Sequence, residues 1–217
     1  MDALSKLLNT RVGAFFSFLF TFGLIYNPLT KFPFTFCVII SCILALTYMQ
    51  DRNFKNLNFK KIGLKEIAII FGCYTVLETI MDFVFQPMSS KIFNEPADYS
   101  SFEFIKGNSK EYFKWLLFMW ISAAVGEELL FRAFAFSQLK KMIGDRNLLI
   151  VIISSILFSL PHLYQGNSGL LMTFLFGLFF GFIYLKFKNI WINIIVHGFV
   201  DTLFLTLSYF GMLEFYS

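Results

Sequence analysis

Two adjacent glutamates and an arginine interrupt one of the most apolar parts of this chain. The stretch GEELLFR, residues 126–132, follows FKWLLFMWISAAV and precedes AFAFSQL. The chain holds 2 histidines, and both also sit in apolar surroundings: His162 in FSLPH and His197 in VHGFVD. Glu128 and Arg132 are four apart, so on a helix they share a face and can pair. Glu127 points about 100° away from Glu128 and is left without that partner. His197 and Asp201 are also four apart on one face, where the carboxylate can accept from the imidazole or act beside it.

A carboxylate and an imidazole beside a trapped water make a general base. A second imidazole with a short polar neighbour can stabilise a developing oxyanion. The same donors, Glu127, His162 and His197, could instead hold a divalent metal such as Zn²⁺ with an open position. Both routes hydrolyse an amide. The sequence has no HExxH and no GxSxG, so zinc-protease spacing and a serine elbow are both missing.

These residues need elements that carry them to one place. Hydrophobic residues make up 57% of the 217, aromatics 20% and charged residues 15%, with mean hydropathy +0.68. A soluble domain carries about 25% charge. The 32 phenylalanines run along the whole chain. This is the balance of a polytopic membrane protein, all-α, because continuous apolar runs favour helices over a barrel. Seven runs are expected to be helical: residues 12–26, 33–49, 66–87, 113–138, 147–163, 169–186 and 189–210. One integral-membrane domain over 1–217 is expected, with variable N-terminal helices in 1–112 and a four-helix catalytic core in 113–210.

Counting about 1.5 Å per residue from the cytoplasmic ends places Glu127, His162, His197 and Asp201 at depths of about 16, 22, 12 and 18 Å. Intramembrane ionisable groups are costly and mark function by default. The reading therefore requires a lone carboxylate and two imidazoles to meet in one wet cavity. Buried Glu–Arg pairs can also merely hold a bundle together.

The ordered set EExxxR (Glu127, Glu128, Arg132), FxxxH (Phe158, His162) and HxxxN/D (His197, Asp201) resembles the CAAX protease and bacteriocin-processing family, also called CPBP or Abi. That family includes the Ras-converting enzyme. The resemblance covers about residues 113–205. It implies an intramembrane endopeptidase in which Glu127 and His162 activate water and His197 with Asp201 forms the oxyanion site. Glu128 and Arg132 would be supporting residues. It leaves open a metalloprotease or a metal-free glutamate mechanism. The third motif often ends in Asn; Asp201 departs from this and cannot donate to an oxyanion while ionised. Substrates implied are a peptide or lipidated peptide: a CAAX peptide, a leader or a bacteriocin. Rival readings are a non-catalytic immunity or binding protein and a small proton-coupled transporter; the internal repeats that favour a transporter are missing.

Twelve of the 18 Lys and Arg fall in segments that are inside if the N-terminus is cytoplasmic, and five fall outside. The expectation is N-terminus in and C-terminus out, with membrane lipid as a partner. The net charge of +4 then needs no nucleic acid. Cys37, Cys42 and Cys73 are expected to be small buried apolar residues without disulfides. Gly177 and Gly181 are spaced for close helix packing, and Gly126 would let a neighbour or the substrate approach. Pro161 is expected to distort or end its helix beside His162. The stretch 88–112 is expected to be an outside loop. Glu78 and Asp82, four apart, could line a substrate entry path or reach the outer interface; the interface is the favoured reading, and both stay outside the catalytic set.

Overall fold

The computed structural model describes residues 3–216, which form helices and no strand. After a short helix α1 (Ala3–Leu8) come α2 (Arg11–Gly23) and α3 (Phe34–Asp51). Helix α4 is Leu64–Phe93, with a widened π turn at Met81–Phe85. Helix α5 runs over residues 109–143, and its middle, Met119–Phe134, has π geometry. Then follow α6 (Asn147–Ser159), a 3₁₀ turn (Leu160–Gln165), α7 (Gly166–Phe187) and α8 (Ile190–Phe210).

Each apolar run is thus helical, with boundaries shifted by a few residues. Among the described residues, four helical spans are long and apolar enough to cross a membrane: Phe34–Asp51, Leu64–Phe93, Asn147–Phe187 and Ile190–Phe210. The third is a hairpin rather than one rod. A Cβ on Gly177 would lie 2.9 Å from Ser155 Cα, and one on Gly181 would lie 2.9 Å from Val151 Cγ1. One partner number falls as the other rises, so α6 and α7 are antiparallel. Gly166, at φ 75°, makes the reversal in a conformation that side chains resist. The glycine pair serves close packing, as its spacing predicts. The α6 strut is only 13 residues, shorter than the roughly 20 a full crossing needs.

Why can so apolar a chain fold with a polar centre? Many helices are apolar all round, as lipid-facing helices are. Phe16, Phe20, Phe71 and Phe83 are exposed on the outer surface. The protein interior then hosts the polar groups that lipid would reject. Gln50 of α3 and Gln138 of α5 exchange amide hydrogen bonds at 3.1 Å, and Lys141 Nζ donates to Gln50 Oε1 at 2.9 Å. Asn9 Nδ2 donates to the Gln50 carbonyl at 2.9 Å, which ties the end of α1 to α3. The aromatic core of Phe22, Phe131 and Phe158 packs edge to face at 5.5 and 5.2 Å.

Two expectations need correction. The cysteines are free, but Cys37 is exposed and Cys42 and Cys73 are half-buried; they lie on outward faces, where lipid makes burial by protein unnecessary. The stretch 88–112 is not simply a loop. It completes α4 and then folds back on the bundle. Glu95 Oε1 accepts from the Asn167 amide at 3.0 Å, and the Asp98 amide donates to the Gln165 carbonyl at 2.9 Å. Both bonds clamp the turn that carries His162.

Candidate active site

The middle of α5 supplies the first group of side chains. Its backbone there pairs across five residues, as in Ala135 N–H to the Leu130 carbonyl. Such π geometry is rare and concentrates at functional sites. Glu128 is 0% exposed, and its carboxylate is the hub of the buried network. Arg132 Nη1 lies 3.0 Å from Glu128 Oε1, His197 Nδ1 donates to the same oxygen at 2.9 Å, and Asn193 Nδ2 donates to Oε2 at 3.1 Å. Arg132 is also 0% exposed. Its Nη2 donates to the Gly177 carbonyl at 3.3 Å, and its guanidinium lies 4.3 Å from the Phe158 ring centre and 5.2 Å from that of Phe180. A charge pair with hydrogen bonds and aromatic faces can survive without water; either member alone could not.

The pairing of Glu128 with Arg132 agrees with their spacing. Asn193 was not anticipated, although a signal existed: Asn193, His197 and Asp201 are successive residues of one i, i+4 stripe on α8. Asn193 Nδ2 also bonds the Phe180 carbonyl at 2.8 Å, so it links Glu128 to α7.

His197 is 5% exposed and stacks on Phe180, ring centres 4.8 Å apart. Because the Glu128 carboxylate accepts from Nδ1, Nε2 is the nitrogen left for the cavity. Glu127 Oε2 lies 4.0 Å from Nε2 and Asp201 Oδ2 lies 3.8 Å from it. Neither is a hydrogen bond. Glu127 has therefore no close partner of the kind Glu128 has. His162 stands on the 3₁₀ turn that Pro161 opens, so the proline does end α6 beside the site. Its Nδ1 donates to the Phe158 carbonyl at 3.1 Å, which again leaves Nε2 available.

Glu127, His162, His197 and Asp201 all line one cavity of about 570 Å³. The elements that bring them there are α5, the 3₁₀ turn and α8, held apart at the right distance by Phe158 and Phe180, which also line it. Gly126 admits a neighbour rather than substrate: a Cβ there would meet Phe36 Cδ1 of α3 at 2.7 Å. Gly198 likewise admits Trp120, at 2.6 Å from a Cβ, and the indole N–H donates to Thr202 Oγ1 at 3.1 Å.

Of the two readings of Glu78 and Asp82, the structure supports the lining of the substrate path over the favoured interface. Both line this same cavity, because α4 packs along α8 with that face inward. Their side chains are half-buried.

A metal would demand closer donors than the site provides. Two donors sharing a tetrahedral Zn²⁺ lie about 3.4 Å apart. His197 Nε2 and Glu127 Oε2 are wider, at 4.0 Å. Among the described residues no three of His, Cys, Asp and Glu converge closely enough to hold a metal ion. As placed, Glu127, His162 and His197 do not fit one.

Residues 109–203 match the family model of Rce1-like type II CAAX prenyl endopeptidases. This segment, under half of the chain, is similar to the CAAX proteases. No curated protein and no solved structure gives a significant match. The CAAX protease match contains Glu127, Glu128, Arg132, His162, His197 and Asp201, and stops short of α1 to α4. Glu78 and Asp82 therefore reach the cavity from outside the matched segment.

Proposed function

We propose that this protein cleaves a peptide bond with a water molecule activated by Glu127 and His162. The observation that carries the reading is the common cavity: one carboxylate without a close partner and two imidazoles, each with Nδ1 engaged elsewhere and Nε2 free. Water held between Glu127 and His162 Nε2 loses a proton to the Glu127 carboxylate as its oxygen attacks the scissile carbonyl carbon. The tetrahedral oxyanion accepts a hydrogen bond from Nε2–H of a doubly protonated His197. Glu127 then returns its proton to the leaving amine nitrogen as the C–N bond breaks. Glu128, neutralised by Arg132, fixes the His197 ring. Asp201 faces the positive edge of His197 and holds its charge in place. The chemistry is assigned to side chains and water alone, since the donors do not close around a metal.

The same cavity is rich in aromatic and aliphatic lining, including Phe176, Phe204 and Met172. This supports a peptide carrying an apolar or lipid tail as substrate. The Lys and Arg bias supports an N-terminus on the cytoplasmic side.

The test is cleavage of a farnesylated C-terminal peptide by the purified protein in lipid nanodiscs, compared with Glu127→Gln and His162→Ala. Cleavage by the native chain and loss in both variants, each with an unchanged melting profile, is expected. Retained cleavage in a folded Glu127→Gln protein overturns the mechanism.

A further inference from the structure

Two carboxylates of the cavity take no part in this hydrolysis. Glu78 and Asp82 are one turn apart on α4, with Asp82 inside the π turn Met81–Phe85, and both reach the space that Glu127 lines. Among the described residues no lysine or arginine lines the cavity opposite them; the basic groups on its lining are His162 and His197. Carboxylates held away from bulk water without a counter-charge are expensive.

A second observation is independent of that charge. Three acceptor oxygens on the lining, Glu78 Oε1, Asp201 Oδ2 and Gln165 Oε1, are buried with no donor among the described residues. Gln165 is 6% exposed. Its amide nitrogen donates to the Tyr164 hydroxyl at 3.2 Å, which leaves its carbonyl oxygen over. Buried acceptors nearly always find a donor, so each orphan asks for one. The three residues therefore share one deficit, of N–H donors, and Glu78 also lacks the positive charge that His197 offers Asp201.

An ammonium or guanidinium supplies both at once. Tyr99 and Phe204, whose ring centres are 5.2 Å apart on the same lining, offer π faces to such a cation and apolar surface to its stem. We propose that Glu78, Asp82 and Gln165 form a subsite for a lysine or arginine side chain of the peptide substrate. The enzyme then selects peptides with a basic residue near the scissile bond. This rests on the peptidase reading of Glu127 and His162, and it assigns to α4 a specificity role that the family segment does not contain.

The experiment uses the full chain in nanodiscs and pairs of farnesylated peptides. Each pair differs by lysine against glutamine at one position within three residues of the farnesylated cysteine. At one position or more, the lysine peptide should show kcat/KM about tenfold higher, the ratio that one modest ion pair gives. Glu78→Gln combined with Asp82→Asn should erase that preference and leave the glutamine peptide unchanged. Equal kcat/KM at every position, or a double variant that slows both peptides alike, overturns the subsite. Binding of fluorescent versions of the same peptides to Glu127→Gln protein separates the two readings. Tighter lysine binding that disappears with Glu78→Gln and Asp82→Asn supports the subsite even if no peptide is turned over. Equal binding of both peptides overturns it, whatever the hydrolysis assay gives.

Discussion

Glu127 and Glu128 are chemically identical neighbours with opposite circumstances. Glu128 is closed in by Arg132, His197 and Asn193. Glu127 faces the cavity with His197 Nε2 no nearer than 4.0 Å. Their substitutions should therefore separate activity from stability. Glu127→Gln removes a carboxylate that nothing in the fold needs. Its melting temperature should hold or rise while cleavage falls by about 10² to 10⁴. Glu128→Ala leaves Arg132 buried and unpaired, and should cost about 3–5 kcal/mol in denaturant unfolding. Equal effects of the two changes on stability would refute this division. Asp201 gives a third test. Its charge acts on His197 across 3.8 Å rather than through a hydrogen bond, and asparagine is the residue often found at this place in the motif. Asp201→Asn should keep cleavage within about tenfold of the native rate, because its amide can itself donate to an oxyanion. Asp201→Ala should lose more.

At the scale of elements, the site depends on close approach of helices. Gly177 lets α6 and α7 touch backbone to backbone, and its carbonyl also receives Arg132. Gly177→Ala puts a methyl 2.9 Å from Ser155 Cα, so the hairpin must open. A loss of about 1–3 kcal/mol in unfolding is expected, together with weakened cleavage, since Arg132 loses its register. An unchanged denaturation curve would show that the hairpin yields freely. The segment 88–112 shows the same dependence from the other side. Its hydrogen bonds to Gln165 and Asn167 fix the turn of His162, although its composition reads as an ordinary polar connection.

The whole molecule is organised inside out: apolar side chains on the surface and charges at the centre. Membrane helices can carry such a centre only if several of them share it. The donors of that centre do not close on a metal, so cleavage should survive prolonged chelation, and the purified protein should carry less than one equivalent of zinc. Activity lost on chelation and restored by Zn²⁺ would reverse this reading. The Lys and Arg bias should likewise place a reporter fused to the N-terminus in the cytoplasm and one fused to the C-terminus outside. The opposite result would remove the topology and leave the cavity chemistry untouched.

The sequence by itself determined the helical membrane class, the seven apolar segments and the short set of ionisable residues worth suspecting. Continuous hydropathy and i, i+4 spacing are local properties, so one strand of text carries them. It also held the stripe Asn193, His197, Asp201, of which only the last two were legible as chemistry. Spacing alone paired Glu128 with Arg132 and set Glu127 apart; only the tertiary structure closed Asn193 and His197 around Glu128, because those partners lie 65 and 69 residues away in the chain. It alone chose the cavity wall over the interface for Glu78 and Asp82, since a helix face acquires its surroundings from whatever packs against it. Residue types alone permit a metal; the 4.0 Å between Glu127 Oε2 and His197 Nε2 is something that only the folded chain reveals.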